Sequence, residues 1–249
     1  MASWEFPASE PIEARIRIPD GSITVAAVPT QDVTVEIEPA HARWGGDDPL
    51  SQIRVEFEGG RLLIGDQKRF GLLTGRSSQF DVVVRLPEGS SCEIDTAVAD
   101  VRCNGTLGAL EVRTVSGDVA AGHVLRLAEV QTASGDVQLD RSGTARVRTV
   151  SGDIVIGGSD GDATCQSVSG DVAIRRAATG RIDVKTTSGD ITVGVIPGIC
   201  LRLDLATLSG DASSELEDSD AGGDVTATVT CRSVSGDVRL GRAAQVAAG

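Results

Sequence analysis

The sequence predicts an all-β fold, a parallel β-solenoid (β-helix-like) with coils of about 18 residues and two short strands in each. Three observations carry that reading. The tripeptide Ser-Gly-Asp recurs seven times, and a degenerate copy, Val98-Ala99-Asp100, precedes the first. From Asp100 onward the aspartates are spaced by 18, 18, 17, 18, 19, 21 and 26 residues. On both sides of each tripeptide apolar and polar residues alternate with period two, and no stretch carries a helical period.

The first 90 residues lack the tripeptide but keep the strand pattern. Ile12, Ala14, Ile16 and Ile18 alternate with charged residues, and Asp20-Gly21-Ser22 turns the chain into Ile23 and Val25. Val33, Val35 and Ile37 alternate next. Ile53, Val55 and Phe57 lead through Gly59-Gly60 to Leu62 and Ile64. A strand over 81–86 then turns at Pro87-Glu88-Gly89 into Cys92, Ile94 and Thr96. Residues 1–90 therefore read as irregular β coils or a cap, which a solenoid needs because an open end rung is an exposed edge.

Residues 91–240 form the repeat, and 241–249 a tail, in one continuous domain. The corners are Ser116-Gly117-Asp118, Ser134-Gly135-Asp136, Ser151-Gly152-Asp153, Ser169-Gly170-Asp171, Ser188-Gly189-Asp190, Ser209-Gly210-Asp211 and Ser235-Gly236-Asp237. Six before each Ser stands Leu110, Ala128, Ala145, Ala163, Ile182, Leu203 or Val229. Four before stands Val112, Val130, Val147, Cys165, Val184, Leu205 or Cys231, and two before stands Thr or Ser. After the Asp, pairs such as Val137/Leu139, Ile154/Ile156 and Val238/Leu240 make a second strand, and a Gly-containing turn closes the coil. The buried register is expected to run Val112, Thr114, Ser116 and to resume at Val119, an odd step that marks a corner where Gly reaches positive φ or admits close backbone approach. The last rung is Val238–Leu240, and with only a short tail after it, a weak homo-oligomer through this C-terminal rung is expected.

The Thr-Val-Ser-Gly-Asp-Val units, the run Val84-Arg85-Leu86-Pro87-Glu88-Gly89, and Ile16-Arg17-Ile18 followed by Gly21-Ser22-Ile23-Thr24-Val25 resemble the bacterial "putative adhesin" or toastrack β-strand repeat family. The resemblance implies an all-β repeat fold, relatives linked to cell-envelope stress systems or anchored in membranes, and no catalytic residues.

Composition narrows the function. Net charge is -13 with a pI near 4.6, which disfavours nucleic acid and anionic lipid. Aromatics are 2% of the chain and His numbers two, too few for stacking platforms or a His-based metal site. No window of 18 apolar residues predicts a membrane-inserting helix, and Met1–Asp20 lacks a basic start and an apolar core, so a cytoplasmic location is expected. The five cysteines are odd in number with no CxxC; Cys92, Cys103, Cys165 and Cys231 fall on inward positions and Cys200 does not. Gly157-Gly158-Ser159-Asp160-Gly161 matches a nucleophile elbow, but it lies between two strands with no helix after it. His123 after Gly122 and His41 read as loop residues.

The expected function is a non-enzymatic scaffold or protein-interaction (adhesin-like) module for an unidentified protein partner, with no cofactor. The alternatives are a polysaccharide-active hydrolytic β-helix and a calcium-dependent adhesin. Metal ligation is a minor candidate for Asp118, Asp136, Asp153, Asp171 and Asp190, and for Asp218, Asp220 and Asp224 in an acidic loop. The Asp ladder is instead expected to be held by backbone N–H groups of its own or the adjacent turn. One before each Ser stands a third ladder that includes Val115, Val150, Val168 and Val234. Facing outward, it is a binding stripe; folded in, it is corner packing.

Overall fold

A computed structural model describes residues 1–40, 50, 53–66, 79–216 and 226–243. Its described residues contain strands and no α-helix. The chain divides into two compact units: residues 1–125 with 130–132, and residues 126–129 with 133–249.

In the first unit the chain begins with β1 (Ala2–Pro7), β2 (Glu13–Arg17) and β3 (Asp20–Val28). Then come β4 (Asp32–Pro39), β5 (Ile53–Glu58), β6 (Arg61–Asp66) and β7 (Phe80–Pro87), and finally β8 (Ser91–Asp95), β9 (Val98–Leu107), β10 (Ala109–Arg113) and β11 (Val119–Gln131). Two walls enclose one core. One runs β5-β6-β2-β8-β10, the other β1-β4-β7-β3-β9-β11. The coil β2–β3 comes early in sequence but lies in the middle, paired in parallel with β6 and β7 on one side and β8 and β9 on the other. The pairs β1–β4, β4–β7 and β5–β6 are antiparallel and form the outer layer. There the ring of Phe6 stacks on that of Phe57 at 5.3 Å, an arrangement aromatic pairs favour. The alternation read in residues 12–37 is therefore correct, and these strands belong partly to regular coils and partly to an aromatic-faced end layer.

The second unit holds β12 (Val137–Arg148), β13 (Ile154–Ser159), β14 (Ala163–Gln166), β15 (Val172–Ala177), β16 (Gly180–Lys185) and β17 (Ile191–Val195). It ends with β18 (Leu201–Ser209), β19 (Ala212–Ser214), β20 (Ala227–Ser235) and β21 (Val238–Arg242). One wall runs from the second half of β12 through β14, β16 and β20 to β18; the other runs from the first half of β12 through β13, β15, β17 and β21 to β19. All these pairings are parallel, as a solenoid requires. The Gly turn at Arg141-Ser142-Gly143 stays hydrogen-bonded within one long strand, with Arg141 paired to Gly158 and Ser142 to Ser159.

The order of the last two coils corrects the sequence reading. The coil Val238–Leu240 is not the terminal rung. The coil β20–β21 is inserted against β16–β17, and the earlier coil β18–β19 is displaced outward. Side-chain size explains the exchange. Ile191 and Val193 stack on Val238 and Leu240, all buried, where β19 offers only Ala212 and Ser214. Covering two branched side chains with two more removes more apolar area from water than covering them with Ala and Ser.

Inward positions six and four before each Ser are buried in every coil except the outermost, where Leu203 and Leu205 are partly open. The Ser of the corner is a second correction. Ser134, Ser151, Ser169 and Ser188 are exposed, and only Ser116 is half-buried. The chain leaves the buried register at the Thr two before the Ser. Thr114 and Thr149 are buried, and their hydroxyls donate to the carbonyls of Ser116 at 3.0 Å and Ser151 at 3.2 Å, which satisfies a buried polar group at the bend.

Candidate functional site

The corner itself is built from backbone geometry. All seven corner glycines have φ between 128° and 143°, a region L-residues rarely enter. At Gly170 an added Cβ would stand 2.1 Å from the carbonyl oxygen of Gly152 on the neighbouring rung. The glycine is thus needed twice, for its dihedral and for rung-to-rung approach. The degenerate copy Ala99 has no positive φ, and its carbonyl instead receives the next corner, Gly117.

The aspartates form a hydrogen-bond ladder. In the second unit the Oδ1 of Asp136 accepts from the backbone N–H of Asp153 at 2.8 Å. Asp153 accepts from Asp171 at 2.8 Å, Asp171 from Asp190 at 2.7 Å, Asp190 from Asp237 at 2.8 Å, and Asp237 from Asp211 at 3.0 Å. In the first unit Asp100 accepts from Asp118 at 3.1 Å. Each carboxylate therefore ties its coil to the next, as the adjacent-turn reading expects, and charge-assisted bonds of this type offset the repulsion along the row. Among the described residues no group of three or more His, Cys, Asp or Glu side chains is placed to hold a metal ion. Asp218, Asp220, Asp224 and His41 lie outside the described residues.

A recess of about 450 Å³ in the first unit is lined by Asp20, Asp81 and Asp100. There Asp20 accepts from Gln79 at 3.2 Å, Asp81 from Ser22 at 2.6 Å, and Asp100 from the Asp118 backbone. Its carboxylates are engaged in structural bonds.

The remaining chemical candidates are also absorbed by the fold. Ser159 of the elbow-like motif is buried, and its hydroxyl donates to the carbonyl of Gly161 at 3.0 Å, so no nucleophile is presented. His123 sits in strand β11 beside a register shift after Ala121, not in a loop as expected, because the ladder with β9 continues past the glycine. Cys92, Cys103, Cys165 and Cys231 are buried and free, and Cys200 is half-buried. Burial pushes the Cys103, Cys165 and Cys231 thiols up to about 12, and raises Cys92 well above its ordinary value, with Cys103 adding to the rise. Such thiols stay protonated and inert.

What the fold leaves on the surface is the row one before each Ser. In the second unit the corner serines bridge in the order Ser134, Ser151, Ser169, Ser188, Ser235, and Ser209 pairs with Ser235. The preceding residues therefore stack as Ala133, Val150, Val168, Thr187, Val234 and Leu208. All six are exposed; Val150 shows 51% of its surface and Leu208 83%. At about 4.8 Å per rung the row is about 24 Å long. In the first unit Val115, 60% exposed, holds the corresponding place, and Ala97 before it is half-buried; Val98 stands at the Ser position, bridged to Ser116. The choice left open by the sequence is thus resolved in favour of exposure. The row is flanked by Arg148, Lys185 and Arg232 on the strand before the corner, and by the Asp ladder after it. Its side chains stand exposed at the corners. The sequence already held this row; the undetermined quantity was the bend angle at the Thr, which decides where the next residue points.

The outward charges behave as cross-strand pairs. In the first unit Arg15 meets Glu93 at 2.6 Å, Arg17 meets Asp95 at 3.1 Å and Arg61 meets Glu13 at 3.1 Å; Arg113 reaches Asp95 at 3.6 Å across the strands and also pairs with Glu111 on its own strand. In the second, Arg141 and Asp160 form two bonds at 2.9 and 3.0 Å across neighbouring coils. These are exposed pairs, each a small contribution.

Corner glycines, carboxylate ladder and stacked parallel coils define a repeat scaffold of the toastrack type. The Toastrack DUF4097 family profile matches residues 20–241, and the chain belongs to that family. It is similar to the solved structure of a "putative adhesin" from Bacteroides fragilis, with 14% identity, 96% of each chain covered and a TM-score of 0.54. It is also similar to a "putative lipid binding protein" from Parabacteroides distasonis, with 13% identity, 96% of each chain covered and a TM-score of 0.47. At 14% identity the likeness to the Bacteroides fragilis structure shows the fold alone. A search of the curated proteins finds no match. No helix among the described residues is long and apolar enough to cross a membrane.

Proposed function

We propose that this chain is a non-catalytic, adhesin-like interaction scaffold that holds a partner polypeptide along the exposed valine row of its second unit. The observation that carries the reading is the row Val150, Val168 and Val234, repeated in register on a surface where the corner needs no apolar side chain. A linear apolar stripe with cations on one flank and carboxylates on the other suits an extended or helical segment with apolar residues along one side. The chemistry inventory supports the same reading. The carboxylates of the Asp ladder accept backbone N–H groups of the neighbouring coil, the elbow-like serine is buried with its hydroxyl bonded, and four of the five thiols are buried.

The test is a cross-linking capture from native-host lysate with the wild-type chain and with Val150→Glu/Val168→Glu/Val234→Glu. A partner retained by the wild type and lost by the variant, with the melting temperature unchanged, supports the reading. Equal capture by both, or turnover of a polysaccharide by the purified chain, overturns it.

A further inference from the structure

The displaced coil leaves an uncovered end. Among the described residues β18 pairs only with β20, and β19 only with β21, so the opposite edge of each carries unpaired backbone groups. The inward row of this end layer is Leu201, Leu203 and Leu205, stacked over buried Ala227, Val229 and Cys231. Leu203 is nevertheless 38% exposed, because the facing strand supplies only Ala212 and Ser214, both exposed themselves. A nine-residue strand with an open edge and leucines at its side is a surface that proteins ordinarily cover.

The edge is self-complementary. Its outward side carries one cation and one anion two residues apart, Arg202 and Asp204. Among the described residues Arg202 makes no ion pair, while Asp204 receives Arg232 at 3.1 Å. Two such strands related by a two-fold axis run antiparallel. With Leu203 opposite its own copy, Arg202 lies across from Asp204 of the second chain, twice, and Leu201 across from Leu205, twice. Opposite charges directly across an antiparallel pair are favourable, and the leucines meet on the other side. A parallel partner strand would set like against like.

We infer that a second copy of this chain is the occupant, and that the protein forms a two-fold dimer edge to edge through Leu201–Leu205 of β18. The interface uses neither the valine row nor any residue assigned to partner binding.

The test is charge exchange read by sedimentation or light scattering. The wild type is expected near twice 25.6 kDa. Arg202→Asp leaves the Asp204–Arg232 pair in place, faces two carboxylates with two more, and is expected to be monomeric. Asp204→Arg is expected to be monomeric for the mirror reason. Mixing the two variants restores both cross-strand pairs and is expected to return a dimer containing one of each. Circular dichroism and melting of each variant confirm that the coil is intact. A wild type that stays monomeric at about 0.2 mM, well above a micromolar-range dissociation constant, overturns the inference. So does a dimer that persists unchanged in Arg202→Asp, or a higher-order species in its place.

Discussion

Gly170→Ala is the sharpest probe of the corner. Gly170 has φ +139°, and a Cβ built there stands 2.1 Å from the Gly152 carbonyl oxygen and 2.7 Å from its carbon. Ordinary contact needs more than 3 Å, so the two rungs must separate by about 1 Å locally, against close-packed neighbours. That movement strains Gly170 N–H to Ser188 at 3.0 Å and Gly152 N–H to Ser169 at 3.1 Å. Backbone strain of about 1–3 kcal/mol and the weakening of two bonds worth about 1 kcal/mol each give an expected loss of about 3–5 kcal/mol. Gly198→Ala is the control in the same unit. Its φ is +84°, but nothing lies within 4 Å of the added atom. There the dihedral cost is partly offset by the reduced freedom of the unfolded chain, and the net loss is about 1 kcal/mol or less. Urea unfolding followed by circular dichroism measures both. Equal losses, or a Gly170→Ala protein within about 0.5 kcal/mol of wild type, would refute the claim that rung-to-rung approach, beyond the dihedral, requires the glycine.

Asp153→Asn keeps the acceptor for the Asp171 N–H and removes repulsion from Asp136 and Asp171, so its stability is expected to equal or exceed wild type. Asp153→Ala loses the acceptor, and should fall below the Asn variant by about 1 kcal/mol in the same urea assay. Val147 is fully buried while Arg148 is exposed; Val147→Asp is expected to cost several kcal/mol and Arg148→Asp little, and equal shifts in melting temperature would reverse the assignment of faces. Thiol titration of the native chain should modify Cys200 first and the four buried thiols only on unfolding. The Cys165 thiol is raised from 9.0 to about 12 by burial, so above pH 9 the unfolded chain has released a proton that the folded chain still holds, and stability falls as pH rises. The loss is about 1 kcal/mol between pH 9 and 10 for this thiol and approaches about 1.4 kcal/mol per unit above that, and Cys165→Val should flatten the slope by that amount in urea titrations at successive pH.

The coil architecture was legible because one residue pattern is repeated under one constraint. Period-two alternation placed Val112, Val147, Ile154 and Val184 inside, and each is buried. The tripeptide located the corners, and all seven of its glycines take positive φ. The order of coils was not legible from the repeat alone, since pairing partners are set by how well two rungs fill each other. A trace of it was present. The pair after Asp211 is Ala212 and Ser214, where other coils carry Val, Ile or Leu, and the spacing lengthens to 21 and 26 residues at that point. The antiparallel outer strands β1, β4 and β5 were hidden for a related reason: alternation gives the face of a strand and not the direction of its neighbour. The exposed serines were misread because a period-two register was carried one residue past the bend.

The strongest letters of the repeat are spent on holding the scaffold together. Gly opens the corner, Asp links one coil to the next, and Thr caps the carbonyls at the bend. An Asp whose Oδ1 receives a backbone N–H from the next coil, and whose neighbours do the same, forms a structural chain along the corner. The position before each Ser is different. Its side chain enters no hydrogen bond and no core contact that the corner depends on, and Thr187 and Ala133 occupy it without disturbing the ladder. Solvation alone would favour polar residues there, and Ser, Asn or Lys would fit the same backbone. Valine at Val150, Val168 and Val234 instead holds apolar surface in water at three coils of one row. A scaffold that tolerates Thr and Ala at this place but carries valine at half of its six coils and leucine at a fourth bears a cost in solubility that packing does not return. Contact with another polypeptide does return it, which is why the reading of this chain as an interaction module rests on the valines and not on the aspartates beside them.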